Sequence, residues 1–143
     1  MKFRFRLDKV LRHRRRRMES EARKLHAIES AAHALERDNV ARAERCRELA
    51  RTETPIATHA DLEHKRKLTE FTRGQGLMIL HNEERIQSIR ERADVQRRIL
   101  LAAQRDKRVL ELLRDRHREA WALKQRRLEQ KLTDETASRG SGR

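Results

Sequence analysis

A single proline, Pro55, separates two long stretches that hold almost nothing able to stop a helix. From Phe3 to about Ala50 there is neither Gly nor Pro, and the same is true from Leu110 to Glu135. Proline lacks a backbone N–H and clashes with the preceding turn, so a helix ends before it or begins at it. Such a chain can fold as long helices joined by a turn.

The first stretch carries two interlocked heptad series. One is Leu11, Met18, Leu25, Ala32, Asn39, Cys46; its companion is Leu7, Arg14, Glu21, Ile28, Leu35, Arg42, Leu49. Read as a and d positions, they form an apolar seam that leaks at Arg14, Glu21 and Arg42, with Asn39 as a candidate register-setting polar residue. The segment RTETPIATHADL then turns the chain. Thr54 is one candidate cap, with Pro55 at the first helical position; Thr58, with Asp61 three residues on, is a second and resembles a capping box.

From Leu62 the helical pattern resumes through Leu68 and Phe71, is interrupted at Gly74-Gln75-Gly76, and continues as Ile86, Ile89, Ala93, Gln96, Leu100, Ala103, Lys107 and Leu110, then through Trp121 to Leu128. Two glycines cost about 2 kcal/mol of helix propensity. The expected fold is all-α, a long antiparallel two-helix coiled-coil hairpin with the C-terminal helix overhanging. It is one hairpin over 1–137: helix one about 3–50, turn about 51–58, helix two about 59–135 with a candidate break at 74–76. The Gly/Ser/Arg tail 138–143 is expected to be disordered.

A reversal near Pro55 makes the numbers of facing residues sum to roughly 109, with helices about 70 and 115 Å long. Leu7 then sits near Ala102, Gly74 and Gly76 sit against Ala31, Ala32 and Ala34, and about 30 residues of helix two lack a partner. Leu110, Leu113, Trp121 and Leu128 fall in that overhang.

Composition limits function. Charged residues make up 42% of the 143, aromatics 3%, and the net charge is +14. That serves a seam between helices rather than a broad core, and it favours acidic partners. The one cysteine, Cys46, excludes an internal disulfide. No apolar run approaches the ~20 residues of a membrane span, and the first residues lack the apolar stretch of a signal peptide. The seven histidines have no metal-ligand spacing, and no nucleophile stands beside a base, so no cofactor, metal or catalysis is expected. Asn39, Ala43, Cys46 and Arg47 mimic a basic-zipper DNA reader, but Pro55 stops the helix where leucine heptads should follow.

The opening Phe3-Arg-Phe5-Arg-Leu7-Asp-Lys-Val10-Leu11, followed by arginines and then Glu19 and Glu21, resembles the start of FliJ-type proteins of the bacterial flagellar type III export apparatus. The close, Leu128-Glu-Gln130-Lys-Leu132-Thr-Asp134-Glu135 with Ala137 and Arg139, resembles that family's C-terminal pattern, and Trp121 stands near a frequent aromatic. Lys65 and Leu68 depart from the family's aromatic-containing pattern near the bend.

The resemblance implies a non-enzymatic stalk, similar in shape to the rotor hairpin of rotary ATPases. The end holding both termini would enter the hexameric export ATPase. The chain would also engage the membrane export gate and export chaperones, in the cytoplasm and peripherally at the inner membrane. On that reading Leu110, Leu113, Trp121 and Leu128 give apolar contact. Arg14, Arg15 and Arg116 meet acidic groups, Gln130, Asp134 and Glu135 make polar contacts, and Leu49, Leu62, Leu68 and Phe71 form a second surface at the hairpin end. A basic helical protein associated with nucleic acid or the ribosome is the alternative, and a self-assembling coiled coil a third.

Overall fold

The computed structural model describes residues 2–52 and 55–140. Among them the regular structure is two helices, α1 (Asp8–Arg51) and α2 (His59–Gly140). Contacts group the chain into two compact units, unit 1 of Met1–Glu21 with Leu100–Arg143 and unit 2 of Ala22–Ile99. The fold is an all-α helical hairpin, α1 and α2 packing antiparallel within each unit.

Helix α1 begins at Asp8, later than residue 3. A helix start concentrates unpaired N–H groups and a positive dipole end. Lys2, Arg4 and Arg6 would oppose that field, whereas Asp8 in the first turn complements it. The Asp8 N–H instead donates to the Phe5 carbonyl at 3.2 Å, and the Leu11 N–H to that of Leu7 at 2.9 Å.

The heptad series of α1 faces α2. Leu11 and Ala32 are buried; Met18, Leu25, Asn39 and Cys46, and Arg14, Glu21, Ile28, Leu35, Arg42 and Leu49, are half-buried. On α2, Ile86, Ile89, Ala93, Gln96 and Ala103 are buried, with Leu100, Lys107 and Leu110 half-buried. In unit 2, cross-helix ion pairs flank the seam: Arg97 with Glu29 at 2.7 Å and Arg90 with Glu36 at 2.8 Å. Between them and the bend lies a polar layer. Asn82, 2% exposed, donates to Asp38 at 2.9 Å and to Asn39 at 2.8 Å. Arg42 donates to Asp38 and to Gln75, each at 2.8 Å. Its guanidinium, seconded by the Asn82 amide, lowers the Asp38 pKa.

The register differs from the expected one by about two heptads. Phe5 lies against His117, where Leu7 near Ala102 was expected, and Asn39 meets Asn82. The glycines therefore do not meet Ala31, Ala32 and Ala34. Gln75 between them bonds Arg42, and a Cβ built at Gly74 or Gly76 would touch nothing within 4 Å. Helix α2 also passes through 74–76 unbroken with no positive φ, and it reaches Gly140 rather than about 135. Tail residues 141–143 lie outside the described residues.

At the bend, the Thr52 N–H and hydroxyl bond the Leu49 carbonyl and close α1. The Thr58–Asp61 capping box forms. The Asp61 N–H donates to the Thr58 hydroxyl at 3.2 Å, and the Asp61 carboxylate accepts the Thr58 N–H at 2.7 Å and the Ala57 N–H at 3.1 Å. The competing Thr54 cap lies outside the described residues. These bonds, the Thr58 hydroxyl first and then the Thr58 and Ala57 N–H groups, lower the Asp61 pKa.

Two outcomes follow from these contacts. Gly74→Ala with Gly76→Ala should raise stability by about 2 kcal/mol in urea unfolding, because alanine fits both places and favours helix; no gain would mean α2 is not helical there. Asp61, with its pKa lowered on folding, contributes stability that is present above its unfolded pKa and lost as pH falls through the folded one. Amide exchange in the first turn of α2 should accelerate over that acid window, and Asp61→Asn should remove most of the dependence.

Candidate partner-binding surface

Unit 1 is built on Leu11 and Ala103, its buried apolar residues. Alongside them Arg14 donates to Asp106 at 2.9 Å and Arg15 to Glu111 at 3.3 Å, with Lys107 and Arg108 also near Glu111. Exposed ion pairs of this kind contribute little singly. Their effect is to place the basic run of α1 beside carboxylates of α2, so Arg14 and Arg15 are already paired within the chain.

Ahead of α1, residues 2–5 hold no regular structure and residues 6–7 turn into the helix, and burial alternates along them. Phe3 and Phe5 are half-buried, while Arg4 and Arg6 are exposed. The Phe3 ring lies 6.0 Å from the Trp121 ring, tilted by 55°, and the Phe5 ring 5.9 Å from His117 at 70°. Tilted and edge contacts of this sort suit the quadrupoles of aromatic rings.

The overhang is thus shorter than expected, and its start is covered. Trp121 is half-buried under Phe3, and Leu110 and Leu113 are half-buried as well. Beyond them Leu128 and Leu132 are 47% and 63% exposed on the continuing seam. Glu135 is exposed beside them, whereas Gln130 and Asp134, each two residues from Leu132, are exposed on the far side of the helix. From Ala122 to Gly140 the helix extends about 28 Å at 1.5 Å per residue. Arg116 is exposed but lies five residues from Trp121, about 140° around the helix, so it does not share the seam.

Phe3, Phe5, His117 and Leu132 are the contributors that sequence reasoning left out. The signal for the two phenylalanines was their period-two alternation with arginine, which marks an extended segment rather than a helix.

Charge is unevenly shared. Unit 1 holds 21 Lys and Arg against 10 Asp and Glu, net +11; unit 2 holds 16 against 13, net +3. Lys9, Arg12, His13 and Arg16 line a shallow outward hollow of α1.

At the bend, in unit 2, Leu49 and Leu68 line a groove of about 440 Å³ together with Cys46, His64, Lys65 and Arg73. Leu62 and Phe71 are exposed and do not line it. Among the described residues no group of three His, Cys, Asp or Glu could hold a metal ion, and no helix is long and apolar enough to cross a membrane.

Trp121 is the chain's single tryptophan, so it reports on its own site. Phe3→Ala should red-shift its emission and raise its quenching by acrylamide, with about 1 kcal/mol lost from unit 1. An unchanged spectrum would show that the rings do not meet.

Neither a comparison with curated proteins nor one with solved structures gave a match. A protein-family model described as flagellar FliJ protein matches residues 2–143, essentially the whole chain. The chain therefore belongs to the FliJ family and is a component of flagellar protein export.

Proposed function

We propose that unit 1 is the surface by which this chain binds the hexameric flagellar export ATPase and stimulates it. The chain itself is not the enzyme; it couples hydrolysis by the ring to the membrane export gate and to export chaperones. Its place is the cytoplasm, peripherally at the inner membrane beneath the flagellum.

The observation that carries the reading is the uncovered seam of α2 beyond Trp121. Leu128 and Leu132 are large, exposed and in line, on a helix held by nothing else in the chain's described residues. Covering each in a partner contributes roughly 1.5–3 kcal/mol before ordering costs. Glu135 offers a polar contact beside them, and Gln130 and Asp134 offer theirs from the far side of the helix. Leu110, Leu113 and Trp121 act differently, under the aromatic strap, by holding the base from which this segment projects. Arg14 and Arg15 serve the same end by tying α1 to α2, while the exposed cations of α1, Lys9 and Arg16, draw in an acidic ring wall. Arg116 presents its charge on a separate face. The groove at Leu49 and Leu68, with exposed Leu62 and Phe71 nearby, is the place for a second partner such as the gate.

The purified export ATPase and the full chain test this. Leu128→Ala, at an exposed position, leaves the fold intact and should weaken binding by about 2 kcal/mol, roughly thirtyfold in Kd, with a matching loss of stimulated hydrolysis. Adding Trp121→Ala should deepen the loss. Unchanged stimulation by both variants would sink the reading. Binding to RNA or DNA that falls by orders of magnitude across moderate salt, with no ATPase effect, would favour the nucleic-acid alternative.

A further inference from the structure

The face of α2 turned away from its seam carries a second apolar row. In unit 1, Leu101, Val109, Leu112 and Leu123 are 51, 64, 44 and 50% exposed. Arg105, Arg116 and, at the edge beside Leu101, Glu119 are interleaved with them. At 100° per residue these seven positions fall within an arc of about 80°, on the opposite side of α2 from Ala103, Leu110 and Trp121. The spacing is that of a helix-packing stripe, with three- and four-residue steps predominating. No ion pair holds Arg105 or Arg116 among the described residues.

The occupant of such a face must satisfy both its apolar and its cationic members. A second copy of this chain does not: two units of +11 would be brought together with the arginines facing. Nucleic-acid phosphates would suit Arg105 and Arg116 but gain little from Val109 and Leu112. In a helix lying on a lipid surface the basic groups belong to the polar face, away from the apolar one. Here Arg105 and Arg116 stand near the middle of the apolar arc. A partner helix offers aliphatic knobs and carboxylates at the same spacing.

We propose that this face of α2 is a docking site for an acidic amphipathic helix of another protein. Its aliphatic side chains seat between Leu101 and Leu123, and its carboxylates meet Arg105 and Arg116. The arginines work as a selective element, since a helix with basic flanks is repelled. The site is separate from the seam at Leu128, so it stands or falls independently of the ATPase reading.

The test uses the full chain and a synthetic helix about four heptads long, with Leu at a and d and Glu at e and g. Its controls are a scrambled peptide of the same composition and vesicles of phosphatidylglycerol with phosphatidylethanolamine. Val109→Gln with Leu112→Gln removes apolar contact at constant charge, and Arg105→Gln with Arg116→Gln removes charge. All four positions are exposed, and circular dichroism checks that the helices persist. Each pair should weaken binding of the ordered peptide by about tenfold or more, while Leu128→Ala leaves it unchanged. The scrambled peptide should bind at least about tenfold more weakly than the ordered one. Equal binding of the scrambled peptide would reduce the site to net charge and overturn the proposal. So would indifference to Val109→Gln with Leu112→Gln, or vesicle binding lost in that variant while peptide binding persists.

Discussion

The polar layer at Asn82 decides how α1 and α2 meet in unit 2. A heptad seam made of Ile86, Ile89, Ala32 and Ala93 fits nearly as well when one helix slides by seven residues. Asn82 does not. In the observed register its buried amide donates to both Asp38 and Asn39. Slipped by a heptad it would face Ala32 or Cys46, and a buried donor left unmet costs about 1–3 kcal/mol. Each hydrogen bond contributes less than that when made. The layer therefore acts mainly by excluding alternatives. Within unit 1 a comparable choice falls to aromatic contacts, where Phe3 finds Trp121 and Phe5 finds His117.

This explains what was legible beforehand. Which residues face the seam follows from period alone, and Leu11, Ala32, Ile86, Ile89, Ala93, Gln96 and Ala103 are buried as the heptads require. Which residue meets which is invisible to period, because a repeat is by nature ambiguous to multiples of itself. Assuming a symmetric reversal at Pro55 supplied an answer, and the answer was about two heptads off. Asn39 stands out as a polar member of the first heptad series; its partner Asn82 lies before the clear apolar run that begins at Ile86 and has no such mark. Gly74 and Gly76 misled through propensity. Two glycines in an 82-residue helix are outweighed by the cooperative cost of breaking and renucleating it. At the start of the chain, the absence of Gly and Pro suggests helix from Phe3, but the period-two alternation of Phe3, Arg4, Phe5 and Arg6 and the basic load at a helix start both argue otherwise.

The register error also changes which parts of the C-terminal helix are available. Drawing α2 back from the chain's start, relative to the expected register, brings Trp121 under Phe3 and leaves the uncovered seam at Leu128 and Leu132. The covered part of the seam therefore ends between Trp121 and Leu128, not ahead of Leu110. The same helix is apolar on its outward side from Leu101 to Leu123, which a reading tuned to one stripe passes over, because residues on opposite faces cancel when a single amphipathic direction is sought.

Charge and apolar contact then divide the labour in unit 1. A net +11 over so few residues attracts any acidic surface, but between exposed charges that attraction fades beyond about 8–10 Å at physiological salt. It raises encounter rate more than it holds a complex. In the two proposed complexes, holding would fall to Leu128 and Leu132 on one side and to Val109 and Leu112 on the other, where desolvated area would accumulate. Arginines set among those apolar residues narrow the choice further, because a partner that buries Leu112 must also bring a carboxylate to Arg116 or leave it unmatched. Diffuse basicity alone would make this unit a binder of any polyanion; placing part of it within a helical apolar stripe is what makes shape and spacing matter.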